Sequence, residues 1–374
     1  MLTIHRHWLQ SRGLLRIVGI FPALMLVSTA LTFAQEADEE DGDLDSEPVE
    51  RAKFYISPEE RREAGLGTPV TDWLTFYGLL EAEYEYEKHK YLDGGNFSED
   101  FDTEVIQIGL EAEFTEWLLA EFVLEIEQDR KLRTFVDEGL IAFEFDTWAI
   151  KAGVQNLDFG EYYSHFVTGP LLEFGETRKW TLTGEREINE SLDVLAYTFE
   201  NEGVLEGGDL GWGVSMEWTS EDESIRVGTG YMSDLRQSDD FFGEEDYANA
   251  TNVPGWNMYA LMGFESFEIT AEVVAATDHF RVEESHMRPQ SYNLELGYFV
   301  NYDFQVAGRV EYSKELLDEP EWQSGVAITW LFGKHLILSV DYLHGTYKTP
   351  LEIEEDEEYT KSRNLIAAQV GFEF

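Results

Sequence analysis

The sequence predicts an all-β protein, a transmembrane antiparallel up-and-down β-barrel of about 16 strands with a short N-terminal helix. Three observations predict this fold class. Apolar and polar residues alternate with a period of two, the connections between predicted strands alternate between short and long, and the chain ends in an apolar, aromatic strand. A soluble β-sandwich would also show the alternation, but it has no reason to keep the parity of the connections.

The first residues predict export from the cytoplasm. Arg6, Arg12 and Arg16 precede an apolar run over residues 17–33, and small residues follow near Ala34, where a signal peptidase would cleave. We therefore expect residues 1–34 to be a signal peptide. The rival interpretation is a membrane anchor, but the run is short for a membrane span and contains a proline.

Two short segments separate this signal from the predicted barrel. Residues 35–55 are rich in acids, which predicts a disordered leader. Within residues 56–72, Ser57, Pro58 and Glu60 have the order that is typical of a helix start. We expect a short helical segment there, either in the periplasm or as a plug in the barrel. Residues 73–374 then form a barrel in the outer membrane of a Gram-negative bacterium.

Each predicted strand carries apolar residues on one face and polar residues on the other. Leu74, Phe76 and Leu80 share one face of the first strand, and glutamates occupy alternate positions beyond them. A barrel of this width is too wide for side chains to fill, so we expect a wet lumen lined by the polar face. The predicted pore-lining residues are Glu81, Glu83, Glu85, Glu111, Glu113, Glu121, Glu125, Lys151, Arg226 and Arg309.

The connections favour a membrane barrel because their lengths follow a parity rule. Connections after even-numbered strands are tight, whereas those after odd-numbered strands are long, as expected for periplasmic turns and outer loops. Strand boundaries are uncertain, so roughly 14 to 18 strands are compatible with the pattern. The predicted long connections cover residues 89–103, 156–177, 234–254, 281–289 and 348–361.

The end of the chain resembles the insertion signal of outer-membrane barrels. Val370, Phe372 and Phe374 lie on one face of the last strand and would close the barrel near Trp73. This signal implies the barrel-assembly machinery as a partner. Aromatic residues near strand ends also predict interfacial girdles, namely Trp73, Trp117, Trp148, Trp256, Tyr302 and Phe374.

The loop over residues 156–178 is the predicted constriction. It mixes apolar residues with Gly, Pro and charges, which suits a loop packed against an inner wall. Acids facing bases there would create a transverse field, although an ordinary loop with local ion pairs is the alternative. The residues assigned to the constriction are Asp158, Glu161, Glu173, Glu176, Arg178 and Lys179.

Composition excludes several classes of function. The chain has 374 residues with 76 Asp and Glu against 26 Lys and Arg, a formal net charge of −50. Nucleic acid is therefore not an expected partner, and an acidic lumen should favour cations. Absence of cysteine excludes disulfides and thiolate metal sites. We expect no metal, no cofactor and no enzyme, because neither H-E-x-x-H nor G-x-S-x-G occurs.

Several stretches of the chain resemble the LbtU-type siderophore porin family. They include residues 56–67, which begin Ile-Ser-Pro-Glu-Glu-Arg, followed by residues 71–76, then residues 170–178, which read Pro-Leu-Leu-Glu-Phe-Gly-Glu-Thr-Arg, and residues 293–298. Val136-Asp137-Glu138 is similar as well. The likeness covers roughly residues 56–374. It implies an outer-membrane barrel that takes up iron–siderophore complexes without a TonB-type plug domain. Some relatives carry a longer coiled-coil N-terminus, where this chain has an acidic leader.

The function expected from the residues and the resemblance together is a porin-like channel for iron–siderophore uptake, with passive transport through an acidic lumen. A general cation-preferring diffusion porin is an alternative, and so is a structural or adhesive barrel. Expected partners are outer-membrane lipid, lipopolysaccharide, and a small solute or ferric siderophore. Porins of this size are often trimers, and a homotrimer is therefore one of the expected assemblies.

Overall fold

The computed structural model describes residues 67–92, 94–128, 132–201, 210–238, 252–264, 266–282, 285–301, 303–316, 319–333, 335–348 and 359–374. The predicted signal peptide, the acidic leader and the predicted helix start at residues 57–60 lie outside these ranges. Within them, sixteen long strands form one closed antiparallel sheet. The predicted all-β barrel is confirmed. Its sixteen strands lie in the middle of the range of roughly 14 to 18 strands that the sequence predicts. No helix in the described ranges is long and apolar enough to cross a membrane.

The barrel strands follow one another around the wall in chain order. They are β1 (Leu74–Tyr91), β2 (Asn96–Thr115), β3 (Leu118–Gln128), β4 (Leu132–Phe145), β5 (Trp148–Asn156), β6 (Arg178–Asn189), β7 (Leu192–Phe199), β8 (Gly211–Thr219), β9 (Ile225–Met232), β10 (Gly255–Phe264), β11 (Phe267–Ala276), β12 (Gln290–Asn301), β13 (Phe304–Lys314), β14 (Trp322–Phe332), β15 (Leu336–Thr346) and β16 (Thr360–Glu373).

The last strand closes the barrel against the first. β16 pairs with β1 along its length, as far as Glu373 opposite Leu79. Phe374 and Gly78 then exchange two backbone hydrogen bonds of 2.9 and 3.1 Å. A short strand, Thr68–Thr71, pairs with the start of β1 just beyond this point. The predicted closure of the C-terminal strand near Trp73 is therefore confirmed.

The connections give the barrel two distinct ends. Those after even-numbered strands are short, such as residues 116–117 and 146–147, and they define the turn end. Those after odd-numbered strands include residues 157–177 and 233–254, and they define the loop end. Two connections depart from the predicted rule: residues 129–131, and the connection after β1.

The predicted long loop over residues 89–103 is wrong. β1 and β2 pair continuously up to Lys90 opposite Asn96, so residues 92–95 alone connect them. The sequence there is polar, and polar composition is also typical of a loop. A hairpin that projects into water needs no apolar face, because its backbone groups satisfy one another across the two strands.

The outer surface of the barrel is apolar and the inner surface is polar. Along β8, for example, Trp212, Val214, Met216 and Trp218 are each more than 40% exposed on the outer face. Aromatic pairs flank this apolar belt at both ends, as in membrane barrels. At the turn end they include Trp73–Phe114 and Phe145–Trp148, and at the loop end Trp212–Tyr231 and Tyr312–Trp322. Of the predicted girdle residues, Tyr302 lies outside the described ranges.

Candidate functional site

The connection over residues 157–177, here called L3, is folded into the barrel. Its first and last parts carry apolar residues that become buried, among them Phe159, Leu172 and Phe174. Residues 171–175 form a short 3₁₀ helix. These side chains and that of Leu157, also in L3, belong to one cluster with residues from the inner wall and two other loops, namely Leu195, Tyr197, Phe199, Met232, Leu235, Val253, Val274, Ala276 and Phe280. Hydrophobic contact therefore holds L3 against the wall of the lumen.

Four wall carboxylates, here called the carboxylate seat, accept backbone hydrogen bonds from L3. They are Glu272 on β11, Glu295 on β12, Glu311 on β13 and Asp341 on β15. L3 has no regular backbone ladder over most of its length, so its N–H groups need partners from elsewhere. Hydrogen bonds to an ionised acceptor are stronger than neutral ones, so the seat is well suited to fix a loop in place.

The first half of the seat binds the start of L3. Glu272 receives the N–H groups of Glu161 and Tyr162, at 2.8 and 2.9 Å. Glu295 receives the N–H group of His165 at 2.8 Å and the hydroxyl of Ser164 at 3.0 Å. Each carboxylate therefore uses both oxygens on the loop.

The second half of the seat binds the middle of L3. Asp341 receives the N–H group of Thr168 at 2.9 Å, and Glu311 receives that of Leu171 at 2.6 Å. The other oxygen of Glu311 accepts from Gln323 of β14 at 2.8 Å. The seat thus carries the loop across the inner surfaces of β11 to β15, on one side of the lumen.

Arg309 lies beneath L3 and joins the loop to the seat. Its Nε donates to Glu295 at 2.8 Å, one terminal nitrogen donates to the carbonyl of Gly169 at 3.0 Å, and the other to the hydroxyl of Ser164. The guanidinium also lies 4.3 Å from the ring centre of Phe166. Arg309 occupies the inner face of β13, where it was predicted, but L3 covers it and leaves it 1% exposed. It therefore supports the loop from behind.

His165 occupies a tight slot in the wall. A Cβ at Gly297 would lie 2.2 Å from its Nε2, so glycine is needed there. Nε2 is 3.5 Å from Glu268, and Tyr163 packs edge-on against the ring. Burial lowers the pKa of His165, Glu295 acts in the opposite direction, and Arg309 adds to the lowering. The ring is therefore expected to be neutral at pH 7.

The structure places the predicted constriction residues at several points in L3 and at the start of β6. Glu161 binds Arg226 at 2.8 Å, and Arg178 binds Asp137 and stacks 4.5 Å over Phe135 of β4. Asp158 is exposed in L3, whereas Lys179 is buried at the start of β6. Glu173 lies against Gly169 within the loop, and Glu176 is half-buried.

The wall formed by β1, β2 and β3 carries the predicted glutamates. Cross-strand partners share a face, so the pairs Glu111–Glu121 and Gln107–Glu125 lie on the same inner face. Gln107 donates to Glu125 at 2.7 Å, and Tyr77 donates to Glu121. Glu113 is exposed at the turn end. The remaining predicted acids of this wall follow one another on β1 at every second position, namely Glu81, Glu83 and Glu85.

Three basic residues of the inner face, Lys151, Arg226 and Arg363, each form an ion pair with an acidic residue. Lys151 is 3.1 Å from Glu185, and Arg226 contacts Glu217 at 3.2 Å in addition to Glu161. Arg363 on β16 is 3.0 Å from Glu319 and 3.4 Å from Glu87. These contacts reduce the field that the cations exert on the lumen, and many carboxylates remain on the β1–β3 wall.

Sequence reasoning missed Arg363 and the carboxylate seat. A usable signal existed for Glu295, because it alternates with the apolar Leu294 and Leu296 exactly as Glu81 and Glu83 alternate on β1. Its partner could not be read from spacing, since Glu295 and His165 are 130 positions apart.

Comparison with solved structures identifies the fold. The chain is similar to OmpF of Salmonella typhi in complex with daunomycin (TM-score 0.57, 13% identity, covering 80% of this chain and 97% of that one). It is also similar to an anion-selective porin from Comamonas acidovorans (0.58, 10%, 80% and 99%) and to the outer-membrane channel DcaP of Acinetobacter baumannii (0.58, 9%, 80% and 97%). No protein-family model matches the chain, and no curated protein matches it significantly. The porin fold is confirmed, and the siderophore porin family stays a prediction.

Proposed function

We propose that the protein is a passive diffusion channel whose lumen prefers cations. One observation carries the proposal: Lys151, Arg226, Arg309 and Arg363 are each held by an acid, while the β1–β3 wall is lined by carboxylates. The fixed charge of the passage is therefore negative. Fixed charge in a narrow, low-dielectric passage raises the local concentration of counter-ions and sets selectivity.

We place this channel in the outer membrane, with the turn end in the periplasm and the loop end outside. The apolar outer belt and its two aromatic girdles support this placement, because lipid requires such a surface. On this placement Val370, Phe372 and Phe374 present the insertion signal to the barrel-assembly machinery. The outer belt would lie against lipid, lipopolysaccharide or further copies in a homotrimer.

The selectivity proposal is tested by neutralising the β1 wall. In planar bilayers with a salt gradient, the variant Glu81→Gln/Glu83→Gln/Glu85→Gln should lose a large part of the cation preference with its conductance retained. Glu190→Gln is the matched control, since it removes one acid from the turn between β6 and β7. Equal selectivity of wild type and triple variant would refute the proposed role of this wall.

Ferric siderophores are the second candidate for the transported solute. The stretch that most resembles the siderophore porins, residues 170–178, covers the end of L3 and the first residue of β6, and a carboxylate-lined lumen would accept a ferric complex of low or positive charge. The test is uptake of labelled ferric siderophore by a deletion strain and by the same strain carrying the gene. Unchanged uptake and unchanged growth under iron limitation would exclude this solute.

A structural or adhesive barrel is the remaining alternative. A conductance measurement distinguishes it from both channel hypotheses. Purified protein that inserts into bilayers without opening any conductance would favour the structural reading. Resolved single-channel steps would exclude it.

A further inference from the structure

A row of polar side chains crosses the inner wall near the loop end, from β13 to β16. Glu311, Gln323, Gly345 and Arg363 stand directly opposite one another on these four strands. Cross-strand partners share a face, so this row lies on the inner face with the carboxylate seat. Glu311, Gln323 and Arg363 are buried. Buried polar side chains need partners within the protein, and the partners of this row lead to L3.

Hydrogen bonds join the row to the backbone of L3. One terminal nitrogen of Arg363 donates to Oε1 of Gln323 at 2.9 Å, and Nε2 of Gln323 donates to Oε2 of Glu311 at 2.8 Å. Oε1 of Glu311 accepts the N–H group of Leu171 at 2.6 Å. An amide accepts with its oxygen and donates with its nitrogen, so Gln323 can join a cation to a carboxylate. Hydrogen bonds linked in this way strengthen one another.

Residues 319–321, here called the mouth segment, come just before β14 and supply the outer end of these bonds. The same nitrogen of Arg363 donates to Oε2 of Glu319 at 3.0 Å. The side chain of Glu319 is 32% exposed, whereas that of Arg363 is 11% exposed. We call Glu319, Arg363, Gln323 and Glu311 the polar relay. It starts at a carboxylate that water reaches at the loop end, and it finishes at L3.

Glycine at position 345 leaves room for the relay. A Cβ at Gly345 would lie 2.8 Å from Cβ of Pro320 and 3.5 Å from Oε1 of Gln323. The carbonyl of Pro320 accepts from the hydroxyl of Ser313 at 2.7 Å, which fixes the mouth segment to β13. Arg363 can therefore reach across β15 to Gln323, and the mouth segment packs over the same gap.

Glu87 on β1 is the competing partner of Arg363. The other terminal nitrogen of Arg363 lies 3.4 Å from Glu87. This separation is long for a hydrogen bond between charged groups, whereas the contacts of Arg363 with Gln323 and Glu319 have ordinary lengths. The guanidinium is therefore oriented chiefly by the relay.

Glu311 has a second cation near the oxygen that Gln323 binds. One terminal nitrogen of Arg309 lies 3.7 Å from Oε2 of Glu311, which is too far for a hydrogen bond. The orientation of Glu311 toward L3 therefore depends on Gln323, and the orientation of Gln323 depends on Arg363.

We propose that Arg363 is a positioning residue that couples the mouth segment to the middle of L3. The inference rests on the proposed channel function, in which L3 narrows the passage. Arg363 acts through Gln323 and Glu311. Loss of Arg363 leaves Gln323 without a fixed orientation and weakens the bond from Leu171, and loss of Glu319 does the same less strongly because it frees the guanidinium at its outer end.

Amide hydrogen exchange of the full mature chain in detergent, resolved at single residues, tests the proposal. In Arg363→Met the amide of Leu171 should exchange roughly 3- to 10-fold faster than in wild type, since the cooperative support of its acceptor is lost. The amide of His165, which Glu295 binds outside the relay, should keep its wild-type rate. Lys361→Met is the matched control, because Lys361 is exposed two positions away on β16 and should change neither rate.

Glu319→Ala tests the outer end of the relay separately. Glu319 is partly exposed, so its loss puts folding at little risk. The amide of Leu171 should exchange roughly 2- to 5-fold faster in this variant. Retained heat-modifiable mobility on gels confirms that each variant is folded.

Two results would overturn the proposal. One is a wild-type rate at Leu171 in Arg363→Met or in Glu319→Ala. The other is equal acceleration at Leu171 and His165, which would indicate general loosening of L3. Because exchange is measured without current, either result is distinguishable from failure of the channel proposal. A channel without cation preference could equally well retain this relay.

Discussion

At the scale of single residues, charged side chains on the inner wall hold other parts of the protein in place. Arg309 illustrates this, since it binds Glu295, Gly169 and Ser164 and is covered by L3. A buried ion pair of this kind contributes little net stability, but loss of one partner leaves an uncompensated charge. The pair therefore makes the position of L3 sensitive to either residue.

Replacing Arg309 with Met should loosen L3 and enlarge the conductance. Glu295 would remain buried without its cation, at a cost of about 3–5 kcal/mol. Single-channel recording should show larger and noisier steps than wild type. Lys151→Met, which breaks a half-exposed pair with Glu185, is the control and should leave step noise unchanged. A folded Arg309→Met variant with wild-type steps would contradict the supporting role of Arg309.

Gly228→Ala should destabilise the barrel more than Gly184→Ala does. A Cβ at Gly228 would lie 2.1 Å from the ring of Tyr259, which donates to Glu217 at 2.6 Å, whereas nothing lies within 4 Å of a Cβ at Gly184. Overpacking of this kind costs typically 1–3 kcal/mol. Urea unfolding of both variants checks the prediction, and equal midpoints would be evidence against the close contact.

At the scale of elements, L3 is held by polar contacts from strands that are distant in the chain. The variant Glu272→Ala/Glu311→Ala should expose the N–H groups of Glu161, Tyr162 and Leu171. Their hydrogen exchange should become roughly 10- to 100-fold faster, since each lost bond involves a charged acceptor. Exchange in the barrel strands should stay slow.

The control for this exchange experiment is Glu121→Ala. Glu121 accepts from Tyr77 on the β1–β3 wall, so its loss should leave exchange in L3 unchanged. Equal acceleration of L3 in both variants would indicate general destabilisation of the barrel, and the seat would then have no specific effect on the loop.

Removal of Phe374 should impair assembly of the barrel. Its backbone exchanges two hydrogen bonds with Gly78, and its ring lies 5.8 Å from that of Phe76. We expect less folded protein in membrane fractions, scored by heat-modifiable mobility. Glu373→Gln keeps the backbone contacts and is the control. Normal yields of the truncated chain would show that the last residue is not needed for closure.

Strand positions could be predicted because alternation and apolar patterning are local properties of the chain. Trp212 to Trp218, for instance, fall on the exposed outer face of β8 as their spacing indicates. The contacts of L3 could not be predicted in the same way. Glu161 and Glu272 are separated by 111 positions, and their meeting depends on the register of every strand between them. The incorrectly predicted loop over residues 89–103 shows a second limit of prediction from sequence. A polar hairpin and a polar loop have similar composition, so composition does not distinguish them.

At the scale of the whole molecule, the lumen has two unlike sides. L3, its apolar cluster and the carboxylate seat occupy the side formed by β7 to β15, where Arg309 is paired with Glu295 and the seat carboxylates accept hydrogen bonds from L3. The β1–β3 wall presents glutamates toward the remaining space. This asymmetry is the physical basis of the proposed cation preference.

The reversal potential of the wild-type channel in a potassium chloride gradient tests the central claim most directly. A lumen with net negative fixed charge passes potassium more readily than chloride, so the potential should have the sign of a cation-selective pore and should shrink as salt screens the wall. A potential of the opposite sign, or a value of zero at low salt, would contradict the assignment of a carboxylate-lined, cation-preferring passage.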